Sequence, residues 1–133
     1  MIQSQISPLK KRVQLIAALV LGIFFILGGI NHFVNPKFYL PLIPNYMPYH
    51  SFLNLASGAG EILAGIAVII PTTKKLGSYA ILFLLIAFIP AHIYFIQKGG
   101  CLSDTLCVPV WIAWARLFII HPLLMYWAYY CTK

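Results

Sequence analysis

Apolar positions do not alternate with polar ones along this chain; they come in long unbroken runs. Four are present, at about residues 13–33, 51–70, 76–97 and 108–130. Each is long enough to cross a roughly 30 Å hydrocarbon core as a helix. Period-2 alternation is absent, and the runs exceed the about 9–11 residues of a barrel strand. The pattern predicts an all-α integral membrane fold, a four-transmembrane-helix bundle forming a single domain over residues 1–133. The first run has a basic flank, but its apolar core is too long for a signal peptide and no A-x-A site follows, so it reads as an uncleaved helix.

The connections carry the next information. Pro71-Thr72-Thr73-Lys74-Lys75 reads as a tight turn that makes helices 2 and 3 antiparallel neighbours. The first connection, residues 35–48, holds Pro36, Pro41, Pro44 and Pro48, which forbid a long regular helix. Its Phe38, Tyr39, Leu40, Leu42, Ile43 and Met47 are too apolar for free solution. It reads as a Pro-rich interfacial loop, either a lid over the bundle mouth or a simple interface anchor.

Composition agrees with the runs. Hydrophobic residues make up 62% of the chain and charged residues 8%, with a mean hydropathy of +0.90. Ordinary soluble domains hold roughly 45–50% and about 25%. A soluble enzyme, a disordered chain and a secreted disulfide scaffold are excluded. The net charge of +7 leaves no basic stripe once the spans are removed, so no nucleic-acid partner is expected. The charges instead read as topology. Lys10, Lys11, Arg12, Lys74, Lys75 and Lys133 fall on one side; Lys37 and Lys98 fall on the other. The positive-inside rule then places both termini in the cytoplasm and predicts a multi-pass protein of the cytoplasmic (inner) membrane.

Two charges lie within spans, where each costs about 2.5–3.5 kcal/mol on insertion scales. Glu61 is ten residues from the outer end of helix 2, about 15 Å deep, and Arg116 is roughly 12 Å below the outer end of helix 4. Their similar depth predicts an ion pair across the bundle, either architectural or part of a site. Asn54, Ser57, Gly58, Glu61 and Gly65 form one stripe at spacings of three and four, and the glycines admit a close neighbour. Asn31 and His32 on helix 1 and His92 on helix 3 share the depth band. Asn31, His32, Glu61, His92 and Arg116 therefore predict a polar pocket opening outward beneath the first loop. The structural alternatives are helix capping by Asn31 and His32 and a carbonyl bond from His92. His121 reads as a separate structural residue, about 140° around helix 4 from Arg116. No metal site is expected: HxxH and HExxH spacings are absent, and Arg116 would repel a cation. A cationic Arg with neutral donors suits a quinone or a small sulfur species or oxyanion.

Cys101 and Cys107 lie in the loop between helices 3 and 4, on the side where disulfides persist. They read as a structural disulfide or as a redox-active pair. Cys131 reads as reduced and alone at the cytoplasmic end.

Residues 28–39 (Gly-Gly-Ile-Asn-His-Phe-Val-Asn-Pro-Lys-Phe-Tyr) and 43–48 (Ile-Pro-Asn-Tyr-Met-Pro) form a first-helix and loop pattern. With Ser57-Gly58-Ala59-Gly60-Glu61-Ile62-Leu63-Ala64-Gly65, the Pro71–Lys75 turn, Phe88-Ile89-Pro90-Ala91-His92-Ile93-Tyr94 and Arg116, this resembles the small DoxX-like membrane proteins over about residues 13–130. His92 departs from the usual Asn, and the Cys101/Cys107 loop is not part of the pattern. The resemblance implies a four-helix bundle in the cytoplasmic membrane. Some such relatives are subunits of thiosulfate:quinone oxidoreductase or of complexes handling thiol and oxidative stress. No catalytic residue set carries over.

Three functions are compatible with these residues. One is a redox-associated subunit beside an oxidoreductase partner, with the outer pocket taking a quinone or a small sulfur species. The second is a non-catalytic assembly subunit held by a Glu61–Arg116 pair. The third is a small transporter, disfavoured because a paired Arg116 would keep Glu61 ionised.

Overall fold

The computed structural model describes residues 6–133. It contains four helical segments long and apolar enough to cross a membrane. The first is α1 (Pro8–Val34), which starts at Pro8 rather than near residue 13. Ser7 caps it, its Oγ accepting from Lys10 N–H at 3.3 Å, and Pro8 occupies a first-turn position where its missing N–H costs nothing. The basic cluster is thus helical rather than a preceding tail.

The first connection folds into a short helix α2 (Pro36–Tyr39) and a 3₁₀ turn at Leu40–Leu42, with Pro44 fully buried. His50 Nε2 donates to the Pro44 carbonyl at 3.1 Å and ties the end of the loop to the second segment, α3 (His50–Ile69). The tight turn expected over Pro71–Lys75 is confined to residues 71–73, since Lys74 and Lys75 already belong to the third segment, α4 (Lys74–Ala87) and α5 (Ile89–Gln97). These two break at Phe88, where the Pro90 ring displaces the carbonyl four residues earlier. A hairpin the sequence reading missed follows, with β1 (Cys101–Ser103) paired antiparallel to β2 (Leu106–Cys107). Gly99 and Gly100 enter it at φ 70° and 79°, in the left-handed region that glycine tolerates. The fourth segment comprises α6 (Val110–Ala115), a π turn at Arg116–Ile120 and α7 (His121–Cys131).

The segments pack in a closed ring, α1 on α3, α3 on α4, α4 on α7 and α7 back on α1. Apolar helices of this length pack through close backbone approach and interhelical polar bonds where apolar burial gives no drive. The α1–α3 contact shows this clearly. A Cβ added at Gly22 would stand 2.6 Å from the Gly65 carbonyl oxygen, and one at Gly29 2.6 Å from that of Gly58. In the reverse pairs a Cβ at Gly65 would stand 2.7 Å from the Gly22 carbonyl oxygen and one at Gly58 2.9 Å from that of Gly29. Two glycines seven residues apart on each helix therefore lock the antiparallel register. Outward faces stay apolar, with Leu15, Leu19, Phe83 and Leu123 exposed.

Two cores result. One, toward the chain termini, contains Leu21, Phe25, Val68, Ile81, Leu85 and Ala128. The other, at the hairpin end, contains Phe95, Leu106 and Ala113, against which Phe38 and Leu42 of the first connection and Leu102 and Val108 pack. The first connection is therefore folded onto the bundle end together with the hairpin.

Candidate ligand-binding site

A cavity of about 350 Å³ lies between the two cores, with Phe25 and Leu85 of one and Phe38 and Leu42 of the other in its wall. Its lining is mostly apolar, with Phe24 and Phe88 completing an aromatic set. The polar groups that reach it are His32, Tyr39, Asn54, Ser57, Glu61, His92, Arg116 and His121.

His32, Glu61, His92 and Arg116 thus converge on one cavity, as their depth suggested. Asn31 does not line it. Its Nδ2 donates to the Tyr39 hydroxyl at 2.8 Å, and the Tyr39 ring stacks on His32 with centroids 3.7 Å apart. Asn31 therefore ties the first connection to α1, and Phe38, Tyr39, Leu42 and Ile43 of that connection form part of the cavity wall.

The expected Glu61–Arg116 ion pair is not formed. Glu61 faces His32 instead, with Nε2 3.2 Å from Oε2. The reason is the glycine packing: it brings α1 against α3, so His32 reaches Glu61 before any side chain of the fourth segment does. Arg116 places its guanidinium over the Phe95 ring, 5.2 Å from the centroid, and takes cation–π stabilisation there. Glu61 Oε2 lies off the His32 N–H axis, so it is buried without an aligned hydrogen-bond donor although it is within ion-pair distance.

Asn54 fixes the other side of His32. Its Nδ2 donates to the His32 backbone carbonyl at 3.0 Å, and His32 Nδ1 donates to its Oδ1 at 2.8 Å. The carbonyl needs that donor because its helical partner four residues on is Pro36, which has no N–H. A carbonyl only accepts, so the amide cannot be turned round, and His32 must carry a proton on Nδ1.

His121, read from sequence as separate, belongs to the site. Its ring stands 4.8 Å from that of His92, and its Nε2 donates to the buried Leu85 carbonyl at 2.6 Å. The expected 140° offset from Arg116 assumed a regular α-helix. The π turn closes instead through His121 N–H to the Arg116 carbonyl, an i→i+5 bond that stacks residues five apart. The wide turn immediately precedes Pro122, whose ring a tight α turn would press against the Phe118 carbonyl. Pro122 directly after His121 is a sequence signal for this irregularity that the α-helical count did not use. Among the described residues, no group of three or more His, Cys, Asp or Glu side chains is arranged to hold a metal ion.

Cys101 and Cys107 are joined in a disulfide across the hairpin, and Cys131 is free and buried. The cross-link holds Leu102 and Leu106 in the core that covers the cavity.

Span-length helices enclosing a polar-tipped apolar cavity define a helical bundle with an internal cavity. Residues 21–132 match the family model described as Domain of unknown function (DUF8561), and the chain belongs to that family. No curated protein and no solved structure matches it.

Proposed function

We propose that this chain is a multi-pass protein of the cytoplasmic membrane, both termini cytoplasmic, whose outward-opening cavity binds a quinone-type ligand. It would serve as a redox-associated subunit beside an oxidoreductase partner; the likeness to DoxX-type proteins belongs to the same proposal. The six-to-two distribution of Lys and Arg supports the orientation.

One observation carries the ligand class: an aromatic-walled cavity of about 350 Å³ with Arg116, His92 and the His32–Glu61 pair converging in it. That volume lies within the roughly 300–1,000 Å³ of small-molecule pockets. It exceeds what a small sulfur species or oxyanion needs, and it suits a ring flanked by Phe24, Phe25, Phe38 and Phe88. The carbonyl oxygens of a quinone are acceptors, and the cavity offers Arg116 as a cationic donor without a carboxylate partner within ion-pair distance.

The test is titration of a decyl-substituted benzoquinone into the protein in lipid nanodiscs, followed by thermal stabilisation. The parent is expected to be stabilised. Arg116→Gln removes a charge-assisted hydrogen bond of about 1.5–3 kcal/mol, tenfold or more in affinity. His92→Phe removes a neutral one of about 0.5–1.5 kcal/mol, roughly two- to tenfold. A parent that does not respond refutes the quinone reading and favours the assembly-subunit alternative.

A further inference from the structure

We infer that His32 and Glu61 share a single exchangeable proton held in place by Asn54, and that this pair donates it to an oxygen of the ligand. The inference rests on the ligand reading above for its recipient, but the proton itself follows from hydrogen-bond chemistry alone.

The His32 Nδ1 proton is committed to Asn54 Oδ1, as the Asn54 bond to the His32 carbonyl requires. Nε2 is then left facing Glu61 Oε2 at 3.2 Å. Without a further proton, the imidazole lone pair and an ionised carboxylate would confront each other in a site sheltered from water. Two acceptors so placed repel, and a buried carboxylate without a donor is costly. One proton resolves the conflict, on Nε2 or on the carboxyl, once a small rotation of the Glu61 side chain brings Oε2 onto the ring's N–H axis. Both arrangements are neutral overall, so the proton exchanges between them with little change in local charge.

The surroundings give the proton a destination. The ring of His32 is backed by Tyr39, which closes that side. Glu61 lines the cavity with Oε2 shut off against His32, so a ligand oxygen meets the carboxyl at its other oxygen, where the protonated group donates to it. The other titratable or charged groups in the cavity wall are Tyr39 from α2, His92 from α5, Arg116 from the π turn and His121 from α7. Arg116 stabilises negative charge on a ligand oxygen before it is protonated. In the step itself, the His32 N–H or Glu61 O–H bond breaks and a ligand O–H bond forms. The pair is left as neutral imidazole and carboxylate, with one negative charge that Arg116 offsets within the same cavity. The recipient class is therefore a quinol-type or phenolate oxyanion. Asn54 is a positioning residue, since it touches His32 and acts through it.

The experiment begins without ligand. Nitrogen-15 spectra of histidine-labelled protein in nanodiscs are expected to show His32 with a slowly exchanging Nδ1 proton. Glu61→Gln is expected to move the His32 Nε2 resonance to that of an unprotonated acceptor, because the Gln amide donates to it. Asn54→Leu is expected to lose the fixed Nδ1 proton, and Asn54→Gln to recover it in part. An unprotonated Nδ1 in the parent overturns the inference whether or not any variant folds, as does a parent in which Nε2 is unprotonated while the Glu61 carboxyl carbon, read in glutamate-labelled protein, resonates as a carboxylate. The second arm titrates a nitrophenol that is half ionised at neutral pH and reads its phenolate absorbance. The parent is expected to bind it as the neutral phenol, with loss of the phenolate band, and Glu61→Gln to bind it with that band retained. Binding with the phenolate band lost or kept equally in both overturns the donor role while leaving the cavity as a ligand site; no binding at all, with the expected spectra, refutes the ligand reading and the donor role together but leaves the shared proton standing.

Discussion

Adding one methyl group at Gly29 tests the packing that brings His32 to Glu61. A Cβ there stands 2.6 Å from the Gly58 carbonyl oxygen, 2.7 Å from the Ile62 side chain and 2.9 Å from the Ile62 nitrogen. Two of the three are backbone atoms, which cannot swing aside, so α1 and α3 must separate. Overpacking of this kind costs about 1–3 kcal/mol. Alanine recovers up to about 1 kcal/mol of helix propensity. Because the obstruction is rigid, the upper part of the overpacking range applies, and Gly29→Ala should lose about 1–2 kcal/mol net. Its neighbour is the control. A Cβ at Gly28 meets only the Glu61 carboxylate, at 3.6 Å or more, which is ordinary contact. Gly28→Ala should be neutral or gain a few tenths of a kcal/mol. Reversible unfolding in mixed detergent micelles, read by tryptophan fluorescence, measures both. Equal stability of the two variants would refute the claim that glycine contacts set the α1–α3 distance.

Further outcomes follow from the same geometry. Asn54→Leu leaves the His32 carbonyl and the Nδ1 side of its ring without a partner, each costing about 1–3 kcal/mol when buried, so the unfolding free energy should fall by about 2–6 kcal/mol in the same assay. Deleting Ile119, which is exposed, removes the extra residue of the π turn; unfolding free energy should fall by about 3 kcal/mol, because the resulting α turn presses the Pro122 ring against the carbonyl four residues earlier. Replacing both Cys101 and Cys107 by serine should cost about 2 kcal/mol, the chain entropy of opening a short loop, as read by thermal melting. In Cys131→Ala protein, a cysteine placed at Thr72 should resist a membrane-impermeant thiol reagent in intact cells, whereas Cys101 and Cys107 should react after reduction; the opposite pattern would reverse the orientation.

The four segments were legible in the sequence because a run of some 20 apolar residues has few other uses. The convergence of His32, Glu61, His92 and Arg116 was legible too, since depth along a straight helix is a count of residues. Azimuth was not. It depends on helix regularity, and the π turn before Pro122 rotates His121 into the cavity against the α-helical count. Partner choice was equally hidden: Glu61 and Arg116 are the only opposite charges at that depth, yet the Gly22–Gly65 and Gly29–Gly58 contacts decide which helix reaches Glu61 first. The Asn54 bond to the His32 carbonyl had a readable cause in Pro36, four residues beyond, but its donor comes from another helix. The hairpin was too short for a period-2 signal, and only its Gly99-Gly100 entry and paired cysteines marked it.

Photoaffinity labelling tests the central claim most directly, namely that the cavity holds a quinone-type ligand. A photoreactive benzoquinone is irradiated with the parent protein in nanodiscs, and the labelled peptides are mapped by mass spectrometry. Labelling at Tyr39, His92 or residues beside Arg116, suppressed by excess decyl-benzoquinone, is the expected result. Labelling confined to outward residues such as Leu15 and Phe83, unaffected by the competitor, would contradict it.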